Sequence, residues 1–328
     1  MRSARLEMAL ESGAFVVPPE GDVVVLAPQA GDDLSALPKL RVVVLTGFKP
    51  DYDHFQRLGY RMDTARATAA VLCLPRAKAE ALALIAQAFS LLPAGAPVLV
   101  DGQKTDGPEA VLKLACAAGI AHGEVISKAH GKAFVLRAGP APAGWTAAPR
   151  RVAGGFVTRP GVFSADGPDR GSELLAAVLP DKIKGHVADL GAGWGYLARA
   201  ILARQGVTSL DLVEADREAL DCARENITDP RAQFHWADAT GFKPARPWDA
   251  VVMNPPFHTS RAADPELGAA FIRAAHRGLL PTGTLWLVAN RHLPYDRILT
   301  PLFRSVEDIG GDAAFRLIRA ANPIRARL

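Results

Sequence analysis

The chain has 328 residues, of which 49% are hydrophobic and 22% charged, a balance typical of a folded protein and not of a disordered one. This length allows two domains of ordinary size, and no apolar run approaches the roughly 18 residues that a membrane-spanning helix needs. The net charge of +4 and the isoelectric point near 9.0 favour an acidic partner only weakly.

The first residues do not have the pattern of an export signal, because Glu7 and Glu11 interrupt the apolar stretch. Three cysteines, Cys73, Cys116 and Cys222, are too far apart for a metal or redox motif. We therefore expect buried thiols in a reducing cytoplasm. The expected protein is a monomer that binds neither a metal nor a membrane.

Short apolar strands alternate with helical patterns from residue 1 to residue 137. This alternation predicts a layered α/β domain with a largely parallel sheet. The predicted strands cover residues 23–26, 41–45, 69–74 and 97–100, the helices cover 78–92 and 109–118, and a hairpin covers 124–137.

A segment rich in proline, glycine and alanine, residues 138–144, then marks a linker. We predict a first domain over 1–138, a linker over 139–154 and a second domain over 155–328. In the second domain the predicted helices cover 172–179, 196–204, 217–226 and 266–280, the strands cover 186–190, 209–214, 232–236, 248–253 and 284–290, and a terminal hairpin follows.

The two halves resemble each other, which predicts a duplicated domain. The run Leu91 to Val100 matches Leu279 to Val288, and Leu74-Pro75-Arg76 falls where Asn254-Pro255-Pro256 falls. Chance similarity between two ordinary α/β domains is the alternative. The first copy has no Gly-x-Gly turn after its first strand and has Leu74 in place of Asn254, so we predict that it is degenerate.

A strand, a glycine turn and a helix start follow one another in residues 186–197. The turn contains Gly191, Ala192, Gly193 and Gly195, and glycines let a backbone approach a ligand closely. Dinucleotide-binding sites use a related pattern. Here Asp189 ends the strand, where a carboxylate suits the α-amino group of a methionine moiety better than a pyrophosphate. The pattern therefore favours S-adenosylmethionine.

Two further strands also end in an acid. Glu214, followed by Ala215, is placed to accept both ribose hydroxyls. Asp238 is placed to accept the adenine amino group, while Ala239 offers its backbone N–H. Each acid alone is more typical of a surface or capping residue. Three at successive strand ends predict a binding site for S-adenosylmethionine.

The fourth strand runs into Asn254-Pro255-Pro256-Phe257. Two prolines give up two N–H donors and hold Asn254 extended. The run presents an amide, bare carbonyls and an aromatic ring, which can hold a ring that carries an amino group. We therefore predict N-methylation of a nucleobase. A core aromatic after a turn is the alternative interpretation of Phe257.

Residues 155–328 resemble the bacterial ribosomal RNA guanine-N2 methyltransferases of the small-subunit type, with the large-subunit type next. The resemblance rests on the glycine turn, the segment Pro160 to Ser172, the segment Asn254 to His258 and the segment Val288 to Tyr295. This family also carries a degenerate N-terminal methyltransferase domain. The resemblance implies an α/β fold with two tandem Rossmann-like class I methyltransferase domains, and a partner RNA within the small ribosomal subunit.

The mechanism that this resemblance implies places hydrogen-bond acceptors around the N2 amino group of guanine. The Asn254 side-chain oxygen and the Pro255 carbonyl would accept the two N2 hydrogens, beside the donor, and Phe257 would stack on the base. His258 would contact phosphate or cap its loop. Arg291 would contact the substrate or lie in a solvated loop.

Other substrates fit the same motif. Large-subunit guanine, adenine N6 and a protein glutamine are the enzymatic alternatives, although phenylalanine in the fourth position favours guanine. A non-catalytic RNA-binding factor of ribosome assembly is the alternative from another class.

Overall fold

The computed structural model describes residues 2–63, 66–256 and 265–325. Phe257 and His258 lie outside these ranges. The chain divides into two compact units, Met1–Pro149 and Arg150–Leu328. The division falls within the segment 139–154, which the sequence predicts as a linker. Trp145 in that segment is buried in the core of the first unit.

The first unit contains a six-stranded sheet in the order β2-β1-β3-β4-β6-β5. Neighbours from β2 to β4 are parallel, and β6 runs antiparallel to β4 and β5. Apolar clusters cover both faces, which explains why these strands are apolar throughout. The strands are β1 (Asp22–Leu26), β2 (Val42–Leu45), β3 (Ala67–Cys73), β4 (Pro97–Gln103), β5 (Ile126–Lys128) and β6 (Gly131–Arg137), and the helices are α1 (Arg2–Glu11), α2 (Lys49–Arg57), α3 (Lys78–Leu91) and α4 (Pro108–Ala117).

The second unit contains a seven-stranded sheet in the order β11-β10-β9-β12-β13-β15-β14. It is parallel from β11 to β13, and β15 is antiparallel to β13 and β14. The strands are β7 (Arg150–Arg151), β8 (Val157–Thr158), β9 (Lys182–Leu190), β10 (Gln205–Glu214), β11 (Ala232–Trp236), β12 (Trp248–Met253), β13 (Leu279–Asn290), β14 (Phe303–Gly311) and β15 (Phe315–Pro323), and the helices are α5 (Arg170–Val178), α6 (Tyr196–Leu202), α7 (Arg217–Asn226), α8 (Pro265–Gly278) and α9 (Asp296–Leu302).

The two sheets have the same topology except for one strand. The counterparts of β10, β9, β12, β13, β15 and β14 are β2, β1, β3, β4, β6 and β5. No strand of the described first unit corresponds to β11; at that edge, Val43 makes a single parallel bridge to Arg61. The predicted α/β fold with two tandem Rossmann-like domains is confirmed. Leu74 follows β3 as Asn254 follows β12.

Several details of the sequence-based prediction are wrong. Helices α1, α2 and α9 were not predicted; α2 buries only Phe55, and α9 contains Pro301. The helix expected to reach residue 280 ends at Gly278, where a Cβ would collide with the Trp248 ring. Cys116 is exposed, whereas Cys73 and Cys222 are buried as expected.

No helix in the described part of the chain is long and apolar enough to cross a membrane.

Candidate active site

The glycine turn connects β9 to α6 at the carboxyl end of the parallel strands. Gly191, Gly193 and Gly195 have φ of +76°, +54° and +91°, a region that side chains with a Cβ rarely adopt. The N–H groups of Gly191 and Ala192 both donate to the Val213 carbonyl, at 2.9 and 3.2 Å. This contact fastens the turn to the neighbouring strand β10. The backbone is therefore folded into a tight turn at the edge where α/β sheets bind ligands.

Asp189 lies in β9, two residues before the turn, and its side chain is completely buried. Neither carboxylate oxygen has a well-formed hydrogen bond within the described residues. Burial, together with the nearby Glu214 carboxylate, raises the pKa of Asp189 to about 8, although the Ala198 backbone N–H lowers it in part. A buried acid without a partner is costly to keep charged. A cationic ligand group beside it would restore the ordinary ionised state.

Glu214 ends β10 and faces the same turn. Its Oε2 accepts the Gly193 N–H at 2.8 Å, and its Oε1 accepts the Asp216 N–H at 2.8 Å. Burial raises the pKa of Glu214, against the backbone N–H groups of Asp216, Gly193 and Ala215, which lower it. Each carboxylate oxygen has two lone pairs, so both oxygens can accept one further hydrogen bond. The carboxylate is thus held in a fixed orientation and retains the capacity to bind a diol.

Asp238 and Ala239 lie beyond the third strand, β11, which ends at Trp236. Asp238 Oδ1 accepts from the N–H and the hydroxyl of Thr240, at 2.8 and 2.7 Å, so the residue does cap its turn. Ala239 is buried. Ala215, the residue after Glu214, accepts the Trp236 indole N–H through its carbonyl at 2.9 Å. The adenine contacts of Asp238 and Ala239 stay a prediction, as does the role of Ala215.

Asn254 follows β12, which pairs with β9 so that Val252 lies opposite Asp189. A Cβ on Gly191 would lie 4.0 Å from the Asn254 carbonyl oxygen, so the glycine turn and the proline segment are adjacent. The Asn254 amide nitrogen donates to Asp169 Oδ2 and Ser172 Oγ, both at 2.9 Å. Its amide oxygen is buried and has no partner within the described residues. Pro255 is buried and Pro256 exposed.

A small cleft, open to solvent, lies beside the glycine turn and Asn254, and neither Asp189 nor Glu214 lines it. Its lining includes Asp169, Ser172 and Asn254 together with the glycine turn, and Phe163 lies at its mouth with 60% of its surface exposed. The Trp194 indole N–H donates to the Phe163 carbonyl at 2.9 Å, which ties the turn to this loop.

The sequence prediction did not assign functions to Asp169 and Ser172. Asp169 caps α5 by accepting the Ser172 N–H at 3.0 Å, and aspartate is a preferred residue at the start of a helix. That signal locates the helix, but it does not reveal the contact with Asn254, which comes from a strand more than 80 residues away.

Arg291 follows β13 and is exposed, with its Nε donating to the Asp312 carbonyl at 2.6 Å. It lies at the same sheet edge as the glycine turn, because β13 is parallel to β12. The structure does not bring it into the cleft lining. Phe257 and His258 lie outside the described residues. No group of three or more potential metal ligands is found in the described ranges.

The residues around the glycine turn fit S-adenosylmethionine. The buried Asp189 carboxylate suits an ammonium group, Glu214 suits a ribose diol, and the space beside Gly193, where a Cβ would meet no described atom within 4 Å, allows close approach of a ligand. Together with the sheet order, these features define an S-adenosylmethionine-dependent methyltransferase of class I.

Comparisons with known proteins agree with this class. The methyltransferase small domain family matches residues 153–319. A ribosomal RNA small subunit methyltransferase C of Cronobacter sakazakii is 30% identical, over 75% of this chain and 73% of the relative. One of Salmonella agona is 26% identical over 93% of both chains.

A solved structure supports the fold along the whole chain. It is described as the T. thermophilus 16S rRNA N2 G1207 methyltransferase in complex with AdoMet and guanosine; it has a TM-score of 0.79 and 24% identity, and covers 98% of this chain and 91% of that one. The chain belongs to the ribosomal RNA small subunit methyltransferase C family.

Proposed function

We propose that this protein transfers a methyl group from S-adenosylmethionine to the exocyclic N2 amino group of a guanine in small-subunit ribosomal RNA. The buried, unpartnered amide oxygen of Asn254 beside the glycine turn carries the proposal. An acceptor at this place suits an amino group that must be held next to the donor. The names of the relatives in the small-subunit family and the guanosine in the T. thermophilus structure agree with it.

The described residues would position the methyl donor and would accept hydrogen bonds from the base. S-adenosylmethionine supplies an electrophilic methyl group on a sulfonium. Asp189 and Glu214 would hold its ammonium and ribose ends. The Asn254 amide oxygen and the Pro255 carbonyl would accept the two N2 hydrogens and orient the nitrogen lone pair toward the methyl group. Because the methylated nitrogen becomes acidic, its proton can leave to water without a strong general base.

Phe257 would stack on the guanine face, a contact worth roughly 1–3 kcal/mol. The base must be unpaired or flipped out to enter the cleft. His258 and Arg291 are proposed contacts to the RNA near the cleft.

The finer features are also proposals. The target nucleotide would be the counterpart of G1207 in the T. thermophilus enzyme, and the substrate would be RNA within the small subunit. We propose a monomer that acts in the cytoplasm, where ribosomal RNA is modified. The predicted domains would have different roles. Domain 1–138 would support the other domain or bind RNA, and domain 155–328 would be catalytic.

Methyl transfer to separated ribosomal subunits tests the proposal. The subunits come from a strain that lacks the enzyme, and methyl-labelled S-adenosylmethionine is followed into nucleosides. We expect label in N2-methylguanosine of the small subunit. Asn254→Ala should lower the rate about 100-fold or more, with unchanged donor affinity in calorimetry. Label only in large-subunit RNA, in adenosine or in protein would support the corresponding alternative.

A non-catalytic assembly factor is the remaining alternative. It predicts no measurable binding of S-adenosylmethionine and no label in any fraction. The unpartnered Asp189 carboxylate favours the enzyme over this alternative, because a purely structural role leaves its burial uncompensated.

A further inference from the structure

Asn254 is held by two groups that precede or begin helix α5. Its amide nitrogen donates to the Asp169 carboxylate and to the Ser172 hydroxyl, at 2.9 Å each. Asp169 Oδ2 also accepts the Ser172 N–H at 3.0 Å. One carboxylate oxygen therefore binds both the start of the helix and the amide of the proposed acceptor. The orientation of Asn254 is thereby coupled to the position of α5.

The chemistry of these groups permits only one orientation of the amide. An ionised carboxylate accepts hydrogen bonds and cannot donate them. The nitrogen end of the Asn254 amide must therefore face Asp169, and the oxygen end faces away from it. Pro255 restricts the Asn254 backbone to an extended conformation as well. Backbone and side chain together aim the amide oxygen in one direction.

Gly171 makes room for this arrangement. A Cβ at this position would lie 3.1 Å from Asp169 Oδ2 and 3.2 Å from side-chain atoms of Val288 and Phe315. Because the glycine has no side chain, the start of α5 can lie close to β13 and β15 while Asp169 reaches Asn254. The contact is thus built into the packing of the helix against the sheet.

We propose that Asp169 is a positioning residue for methyl transfer, acting through Asn254 with the help of Ser172. This inference rests on the proposed function. Asp169 fixes the amide so that its oxygen accepts from guanine N2. Its negative charge also polarises the amide and strengthens the oxygen as an acceptor, since hydrogen bonds to ionised groups are the strong ones and neighbouring bonds reinforce one another.

The benefit is largest in the transition state. As the N2 lone pair forms the new N–C bond, the C–S bond breaks and its electron pair stays on sulfur. The nitrogen becomes positively charged until one of its protons leaves to water. A stronger acceptor at Asn254 stabilises that charge more than it stabilises the neutral amino group. Asp169 neither gains nor loses a proton in this step.

Three variants separate orientation from charge. Asp169→Asn keeps an oxygen that can accept from both Ser172 and Asn254 but removes the charge; we expect kcat to fall about tenfold. Asp169→Ala removes both contributions, with an expected fall in kcat of about 100-fold. Ser172→Ala removes one of the two acceptors of the amide nitrogen, with an expected fall of about threefold.

Glu173→Gln is the matched control, because it removes an exposed negative charge from the first turn of the same helix. Its kcat should stay within about twofold of the original protein. For every variant, kcat and KM are measured on small subunits, donor affinity by calorimetry and the unfolding midpoint by heating. The proposal requires that kcat falls while donor affinity and KM do not change. A loss of helix capping alone would lower the unfolding midpoint without lowering kcat selectively.

The outcomes also separate this inference from the proposed function. If the unmodified protein forms no N2-methylguanosine, the proposed function fails first. If it does, and Asn254→Ala is inactive while Asp169→Ala keeps kcat within threefold, only the role of Asp169 is overturned. If Asp169→Asn equals the original protein while Asp169→Ala does not, the charge contribution is overturned and the orienting contribution stands.

Discussion

The carboxyl ends of β1 and β3 in the first unit correspond to those of β9 and β12 in the second, yet different groups lie there. In the first unit, Arg2 donates to Asp32 at 2.7 Å and to the Leu74 carbonyl at 3.2 Å. Arg5 is fully buried and binds both oxygens of Asp101, at 2.9 and 2.7 Å. In the second unit, the buried Asp189 carboxylate has no cation beside it in the described residues.

The difference shows how one fold can serve either structure or ligand binding. In the first unit, helix α1 brings cations of the chain itself to the acids at the sheet edge. In the second, Asp189 has no such cation within the described residues, and we propose that the ammonium group of S-adenosylmethionine supplies one. The first unit also lacks a glycine turn, and it has Leu74 at the position that corresponds to Asn254 of the second unit. We interpret the first unit as a domain that is completed by its own helix.

The largest effect is expected from Arg5→Ala. Removing one partner of a buried ion pair leaves a buried charge and typically costs about 3–5 kcal/mol. Asp101 would keep only Arg2, whose Nε lies 3.7 Å from its Oδ1. We expect urea unfolding to show this loss of free energy. Lys132→Ala, which removes an exposed ion pair with Glu109, should have a much smaller effect, because solvent screens such a pair. Equal effects of the two variants would contradict a special role for α1.

Asp189→Asn tests the proposed role of the Asp189 carboxylate in the second unit, which is to bind the donor. We expect the affinity for S-adenosylmethionine to fall about 100-fold, equivalent to about 2.7 kcal/mol, because the ammonium group loses its carboxylate. At pH 8 the variant without ligand should be more stable than the original protein, because no charge has to be buried. Calorimetry and thermal unfolding measure the two effects. An unchanged affinity would remove Asp189 from the donor site.

The raised pKa of Asp189 also predicts a pH dependence of donor binding. Below its pKa of about 8, binding of a cation must displace the proton, so affinity should rise about tenfold per pH unit from pH 6 toward 8. Above roughly pH 8 the donor's own amino group loses its charge, and affinity should fall again. Calorimetry in two buffers of different ionisation enthalpy should show release of nearly one proton at pH 7, and a flat acidic limb for Asp189→Asn.

The raised pKa of Asp189 has the opposite effect on the stability of the ligand-free protein. Because the folded state holds the Asp189 proton more tightly than the unfolded chain, its stability falls as the pH rises from about 3.8, the ordinary value, to about 8. Unfolding midpoints measured with and without the donor across this window should therefore diverge as the pH rises.

Gly193→Ala should have a smaller effect on stability than Arg5→Ala. The positive φ costs an alanine about 1–2 kcal/mol, but its Cβ would meet no described atom within 4 Å. Gly119→Ala in the first unit is a matched control, with φ of +74° and equally open surroundings. We expect similar losses of stability from both, and a roughly tenfold loss of donor affinity only from Gly193→Ala. Equal donor affinities would show that the ligand does not approach Gly193.

The sequence predicted the elements whose signals are local. Apolar runs located the strands, and the glycines of residues 191–195 located the turn, because both patterns follow from backbone geometry. The repeat also placed Leu74 opposite Asn254 correctly. Helix α1 was missed because its apolar contacts are few, chiefly those of Leu6 and Ala9, and much of its attachment comes from the ion pairs of Arg2 and Arg5. Propensity alone does not contain that information.

The candidate site was predictable only in part for the same reason. Asp189, Glu214 and Asn254 stand at strand ends, and the topology of a parallel sheet brings strand ends together. The contact between Asp169 and Asn254 spans 85 residues and depends on where α5 packs. A helix-start signal reveals a cap, but the second hydrogen bond of the same carboxylate appears only in three dimensions.

The contact between Arg5 and Asp101 has a consequence for the order of folding. The two residues are 96 positions apart, and the Lys128 carbonyl that also accepts from Arg5 is 123 positions away. During translation, α1 is therefore made long before its partners leave the ribosome. Contacts at such separation form late, because a long loop must close first. Until β4 and β5 are in place, Arg5 lacks its acceptors, and the segment of α1 has only nearer contacts such as that of Arg2 with Asp32.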